Sequence, residues 1–335
     1  MNKLIPAIIQ KAYYILLIFL ILLLVIFAGC SPKREFHQYS FFCMGTVFQI
    51  KLQEKNTQLA EKVEQMCTEL SSKLNLYDST SLLTEINHSK KIQLDPTTCS
   101  VIHSALRWYK LSGGKFDPTV APLTLLWDFN SDNPKPPSEN KLTETLHLVG
   151  ANKIGLEHCV IQKPQELQLD LGGIAKGFAV DFIYDTLLAY THQPFFIDAG
   201  GNIRVYGKDF RIGIQHPRNK KKIIASFTLK STYACATSGD YQRMFTYRGK
   251  RYHHIIDPQT GYPVSHNTAS VTVIAPTATD ADGASTSVFV MGENEGLQFL
   301  KKQPDLEGVI IQLDKRGKID YLITDHINNF KEVQI

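Results

Sequence analysis

Among 335 residues the chain has six cysteines but no Cys-x-x-Cys pair and no tight spacing between them. Neither a zinc site nor a disulfide scaffold is indicated, and the thiols read as buried structural residues. No Gly-x-Gly-x-x-Gly occurs, and Leu171-Gly-Gly-Ile-Ala-Lys-Gly177 lacks both P-loop spacing and the Ser or Thr that should follow it. Clustered Lys and Arg are scarce. The formal net charge is only +4, and the basic run Arg218-Asn-Lys-Lys-Lys222 is short enough to be a solvated turn. These features exclude a nucleic-acid partner, because phosphate recognition needs a basic face. Internal repeats and low-complexity tracts are absent. What is present, 43% apolar, 20% charged and 10% aromatic residues, is a folded globular composition able to bury a sizeable core.

From Ala12 to Gly29 every residue is uncharged, and Lys3 and Lys11 precede the run. This is a targeting segment, and an uncleaved anchor is the alternative because about 20 residues suffice to span a bilayer. Phe27-Ala28-Gly29-Cys30 resembles the bacterial lipoprotein signal, in which cleavage leaves a lipidated Cys, although Phe27 stands where an aliphatic residue is usual. The expected organisation is a signal at 1–29, a tether at 30–40 and one catalytic body at 41–335. The expected location is the bacterial cell membrane, lipid-anchored and facing the periplasm or exterior.

Phe41 to Leu52 alternates apolar and polar residues and predicts a strand. Helical spacing predicts helices over 56–76, 97–111, 175–190, 280–291 and 295–302, the second ending at Gly113-Gly114. Leu167 to Leu171 alternates and reads as a strand, and more strands crowd the second half, ending in a hairpin over 308–323. Short connections between them favour antiparallel pairing, hence an α+β fold with mixed, largely antiparallel sheets and packed helices.

Three segments could carry chemistry. Gly172-Gly173 ends one predicted strand and opens a helix, which can hold an anion on backbone N–H groups. Lys176 in that first turn opposes the helix dipole unless an anion offsets it, and a solvated junction lysine is the alternative. Asp282 and Thr286 lie four apart on another helix and share a face, a partial cage suited to Mg²⁺, though dipole complementation and packing would also explain them. In Tyr252-His-His-Ile-Ile-Asp257 strand alternation sends His253 and His254 to opposite faces, and a histidine facing a cleft suits proton transfer near neutral pH.

Met44-Gly-Thr46, Phe116-Asp-Pro-Thr-Val-Ala-Pro122, Leu169-Asp-Leu-Gly-Gly-Ile-Ala-Lys-Gly177 with Asp181, Ala199-Gly-Gly-Asn202, Ala236-Thr-Ser-Gly-Asp-Tyr241, His254-Ile-Ile-Asp-Pro-Gln-Thr-Gly261 and Ala281-Asp282 with Thr286 occur in order. As a set they resemble the ApbE family of FAD:protein FMN transferases, formerly called thiamine biosynthesis lipoproteins. The resemblance implies Mg²⁺-dependent cleavage of the substrate FAD, attachment of FMN to a Thr or Ser of a target protein, and release of AMP. It implies Gly173, Asp282 and Thr286 as metal ligands, and Met44, Tyr77, Lys115, Phe116, Asp117, Asp170, Lys176 and Ile256 as FAD contacts. His254 and Asp282 are the catalytic candidates, either of which could take the acceptor's proton. The implied acceptor belongs to a membrane or extracytoplasmic redox complex, such as a sodium-pumping NADH:quinone reductase or an Rnf-type subunit. An FAD pyrophosphatase using the same Mg²⁺ site, or a non-catalytic flavin-binding lipoprotein, are the alternatives. Three places depart from the family pattern: a looser segment around Tyr77, Asp198-Ala199 in place of a more apolar pair, and Gly283 where Ala is common.

Overall fold

A computed structural model describes residues 35–314 and 316–333. The targeting segment, Cys30 and most of the tether lie outside the described residues. Strand β1 (His37–Cys43) begins inside the stretch expected to be tether, because His37, Gln38 and Tyr39 already pair with Leu52, Lys51 and Ile50 of β2 (Thr46–Leu52). The single strand expected over 41–52 is therefore a hairpin. Met44 (φ 48) and Gly45 (φ 74) both take left-handed backbone, and the chain reverses there.

Helix α1 (Thr57–Lys73) is capped by Asn56, whose side chain accepts from Leu59 N; α2 (Leu82–His88) and β3 (Lys91–Gln93) follow. Helix α3 (Pro96–Leu111) is capped by Asp95 and stops at Gly113 (φ 62) and Gly114 (φ 85). Two short helices, α4 (Ala121–Trp127) and α5 (Glu139–Leu146), lead to β4 (Gly155–Glu157) and β5 (Val160–Gln162), which join β3 in a small sheet. Then come α6 (Ala175–Tyr190), β6 (Phe195–Ala199), β7 (Asn202–Tyr206), β8 (Phe210–His216), β9 (Asn219–Leu229), β10 (Ala234–Gly239), β11 (Met244–Tyr247), β12 (Lys250–His253) and β13 (Thr268–Ala275). Helix α7 (Ala278–Lys302), β14 (Glu307–Leu313), β15 (Ile319–Ile323) and β16 (Lys331–Glu332) close the described chain. The two helices expected over 280–302 are present within α7, separated by a kink at Gly292, whose φ of 79 breaks the helical backbone. His266 Nε2 lies 2.7 Å from Phe289 O in the turn before that kink.

Eight strands form one sheet in the order β1-β2-β6-β7-β10-β13-β14-β15, and each neighbouring pair is antiparallel. One face carries Phe48, Ile50, Ile197, Ala236 and Val273 into a core shared with apolar residues of α1, α3, α6 and α7. On the other face Val205, Cys235, Ile274 and Val309 pack against Ile212, Ile214 and Phe227 of the β16-β9-β8 sheet. The expected α+β fold is the one observed.

Leu167–Leu171 is not a strand. The Asn87 side chain takes the place of a neighbouring strand, accepting from Leu169 N at 2.7 Å and donating to Leu169 O at 3.0 Å. The alternation of Leu167, Leu169 and Leu171 arises because all three point into the core. The thiols also need correction. Cys99 and Cys159 form a disulfide with Cα atoms 5.3 Å apart, while Cys43, Cys67 and Cys235 are free and buried. Its partners are 60 residues apart, and only the small sheet, with Leu94 N donating to Cys159 O at 2.8 Å, brings them together.

Candidate active site

Helices α6 and α7 approach closely at their N-terminal ends, and Gly177 is what allows it. A Cβ there would lie 2.3 Å from Ala278 O and 2.7 Å from Asp282 Cβ. Asp181, one turn further along α6, accepts from Ala278 N and Thr279 N at 2.8 Å each and pairs with Arg204 at 2.6 Å. It caps α7 from a neighbouring helix, alongside the N-cap Thr277. Burial raises its carboxyl above the usual range, against the pull of Arg204 and the Thr279 bonds.

Docking the two helices this way gathers Gly173, Lys176, Asp282 and Thr286. Asp282 lies in the second turn of α7, not the first, and is 4% exposed. Its Oδ2 accepts from Gly177 N at 2.9 Å and lies 3.9 Å from Lys176 Nζ, so an acid offsets the unfavourably placed lysine. Burial raises the Asp282 carboxyl, with Lys176 and the Gly177 N–H opposing. Thr286 Oγ1 is 3.4 Å from Gly173 O, and Ser238 Oγ on β10 stands 3.3 Å from the same hydroxyl. A Cβ on Gly173 would meet Phe116 at 3.0 Å and Thr286 at 3.4 Å, so Phe116 walls this corner. One carboxylate, one carbonyl and one hydroxyl are hard oxygen donors, the set that suits a cation keeping several of its own waters.

A second group lies around the β1–β2 turn. Tyr77 is 55% exposed in a loop tied by Ser81 Oγ donating to Asn75 O and Thr84 Oγ1 donating to Asp78 O, so the segment that departs from the family pattern is firmly held. Its phenol is pushed up by burial and by the nearby Asp170 charge. Asp170 accepts from Gly172 N at 2.8 Å and Thr124 Oγ1 at 2.9 Å, linking this group to the glycine pair. Met44 is at the turn itself.

The remaining predicted contacts are placed less directly. Lys115 Nζ is 3.9 Å from Glu295. The Asp117 carboxylate is taken up by its own loop and by the segment after α5, accepting from Thr119 N, Thr119 Oγ1 and Ala151 N. Ile256 is buried in a satellite cluster with Leu123, Trp127, Leu142 and Phe245.

His254 follows the last residue of β12, is half-buried, and has its Nδ1 sealed from solvent without a partner among the described residues. Burial pushes its imidazole down to about 3, helped by the charges of His253, Arg243 and Lys176. His253 points elsewhere, with Nε2 3.0 Å from Val264 O and its ring edge-on to Phe289. The two rings have different surroundings, and His254 lies one residue past the end of β12, outside the strand alternation.

Two departures from the family pattern have causes here. Asp198 caps the β6–β7 turn by accepting from Gly201 N at 2.8 Å, and Gly283 leaves room for Trp108, whose ring a Cβ would meet at 2.6 Å. Sequence reading assigned no role to Ser238, Asp181 or Arg243; the first two stand in the quoted motifs, which was the available signal.

A sequence profile of the ApbE family matches residues 44–310. A protein of Haemophilus influenzae named FAD:protein FMN transferase is 32% identical over 86% of this chain and 90% of its own length; one of that name in Treponema pallidum is 29% identical over 89% and 91%. Among solved structures, the ApbE protein of Thermotoga maritima superposes with a TM-score of 0.79 at 32% identity, covering 85% of this chain and 96% of its own. The flavin transferase ApbE of Vibrio cholerae gives 0.76 at 28%, covering 87% and 97%. A match running from the Met44 turn past Thr286 spans both groups of residues and the sheet that joins them, and on that ground the chain belongs to the ApbE family.

Proposed function

We propose that this chain is an FAD:protein FMN transferase, which breaks the diphosphate of FAD, joins FMN through a phosphoester to a Thr or Ser hydroxyl of another protein, and releases AMP. The observation that carries the reading is the convergence of Gly173 O, Asp282, Thr286 and Lys176 where α6 and α7 meet. Phosphoryl transfer asks for positioning and charge neutralisation rather than a protein nucleophile, and these groups supply both. Gly173, Asp282 and Thr286 would hold Mg²⁺, which when bound would neutralise charge on the diphosphate oxygens.

Within this reading Met44 and Tyr77 offer thioether and aromatic faces to the flavin ring, and Phe116 fixes the Gly173 corner. Lys176 holds a phosphate oxygen. The acceptor oxygen bonds to the FMN phosphorus as the bond to AMP breaks, AMP leaves with the electron pair, and the hydroxyl proton goes to His254. With Asp282 Oδ2 already engaged by Gly177 N and close to Lys176, His254 is the freer base. Burial holds its imidazole low and the neighbouring cations add to that, and the negative charge of a bound diphosphate would oppose the cations' share.

The residues before β1 support export and lipidation at Cys30, and the Cys99–Cys159 disulfide fits an oxidising compartment. On this reading the acceptor is a subunit of a membrane or extracytoplasmic redox complex. Incubating the soluble body with FAD, Mg²⁺ and a candidate acceptor tests the function. Flavin fluorescence that stays with the denatured acceptor is the expected outcome. Free FMN with AMP would replace transfer by hydrolysis, and intact FAD would leave only a binding protein.

A further inference from the structure

Three arginines surround the segment joining β10 to β11, and Asp240 accounts for two of them. Arg218 forks onto its carboxylate with both N–O distances at 2.6 Å. Arg251 Nη1 lies 3.3 Å from Oδ2, and its Nη2 donates to Asp240 O at 2.7 Å. Arg243 is exposed and has no acidic partner among the described residues. Its position is nevertheless defined. Its carbonyl accepts from His254 N at 3.1 Å, and its guanidinium lies over the β1–β2 turn, where a Cβ on Gly45 would be 3.2 Å from Nη2. Its charge reaches the Tyr77 phenol on one side and the His254 imidazole, also within range of Lys176, on the other.

An unpaired guanidinium thus lies at the β1–β2 turn, next to Met44 of the flavin-facing group, while the backbone of the same residue is bonded to His254. We infer that Arg243 is a second cationic contact for the FAD diphosphate, beside Lys176, and selects phosphorylated flavin over riboflavin. This rests on the reading of FAD as substrate. A guanidinium is suited to the task because its planar fork matches two phosphate oxygens at once, whereas an ammonium acts as a point charge. Asp240 pairs with both Arg218 and Arg251, which leaves Arg243 the one guanidinium of this trio without a carboxylate partner among the described residues. Gly45 admits the guanidinium to the turn, since any side chain there would crowd Nη2 as well as strain a φ of +74.

Titrating the full-length chain in detergent with FAD and, separately, with riboflavin, each at low and moderate salt, tests the assignment. In Arg243→Ala the FAD affinity should fall about ten- to a hundred-fold, the range for losing a charged hydrogen-bonded contact, while riboflavin affinity is unchanged. The salt dependence of FAD binding should become shallower, and Arg243→Lys should recover part of the loss. Equal melting temperatures verify the fold, and Arg243→Gln, which keeps the stem, carries the same comparison should the alanine variant melt lower. Unchanged FAD affinity, or equal weakening of FAD and riboflavin, would overturn the role, the second result reducing Arg243 to packing against the ring. Wild-type protein that binds no FAD would instead sink the substrate reading itself.

Discussion

Asp282 is the residue on which the proposed chemistry turns, and its surroundings decide how to test it. Removing its carboxylate entirely would strand the buried Gly177 N–H, so Asp282→Asn, which retains an acceptor, is the cleaner change. On the proposed ligand set Mg²⁺ with ADP should raise the melting temperature of the wild type but not of Asp282→Asn, and that variant should also lose flavin transfer. A preserved Mg²⁺-dependent rise would remove Asp282 from the ligand set. Gly283 argues the other way about local propensity. Alanine there gains about 1 kcal/mol of helix propensity, but its Cβ would press on Trp108, and overpacking costs about 1–3 kcal/mol. Gly283→Ala should therefore destabilise, and adding Trp108→Leu should recover stability in a double-mutant cycle read by urea unfolding. His253 gives a pH signature. Burial lowers its imidazole to about 4, so its contribution is complete above about 6.5, the unfolded value, and is lost as the pH falls from there towards 4. Over that window the unfolded chain binds the extra proton, and stability should fall about 1.4 kcal/mol per pH unit more steeply than in His253→Asn. Equal slopes in urea melts at each pH would contradict this.

At the scale of elements, the Cys99–Cys159 bond ties the first turn of α3 to the β4–β5 turn. Closing a loop of 60 residues is worth about 4 kcal/mol in the chain-entropy account and commonly less in practice. Cys99→Ser with Cys159→Ser should lower unfolding free energy by about 2–4 kcal/mol, and dithiothreitol should lower the melting temperature of wild type but not of that variant. This bond was invisible in the sequence, since nothing in the spacing of the cysteines marks partners that meet only after three short strands have paired. The long helices were readable because their apolar residues recur at helical spacing, and α1, α3 and α7 also carry their own side-chain caps. Leu167–Leu171 misled for a related reason: alternation reports which side chains are buried, and a side chain, Asn87, rather than a strand satisfied the backbone. The β1–β2 hairpin was missed although Gly45 signalled a turn, because Met44, an unbranched residue with positive φ, carries half of it. Lys176 and Asp282 were readable as separate motifs. That they oppose each other at 3.9 Å was not, because it depends on the close approach of their helices that Gly177 permits and Asp181 holds.

For the whole molecule, attachment and assembly follow from where the parts lie along the chain. Cys30→Ala should abolish metabolic labelling with a fatty acid and release the protein from membrane fractions; unchanged labelling would end the lipoprotein assignment. The strand order has a temporal consequence. If the chain is exported from its N-terminus, the β1–β2 hairpin with Met44 emerges first, yet β2 has no second neighbour until β6 follows, and β10 is unfinished until β13 arrives. Lys176 emerges before Asp282, and its offsetting acid appears only with α7, near the end. The capacity to split FAD therefore arises all at once and late: an incomplete chain, whether still crossing the membrane or cut short before residue 282, owns the flavin-facing turn but none of the α7 oxygens that would gather at the diphosphate.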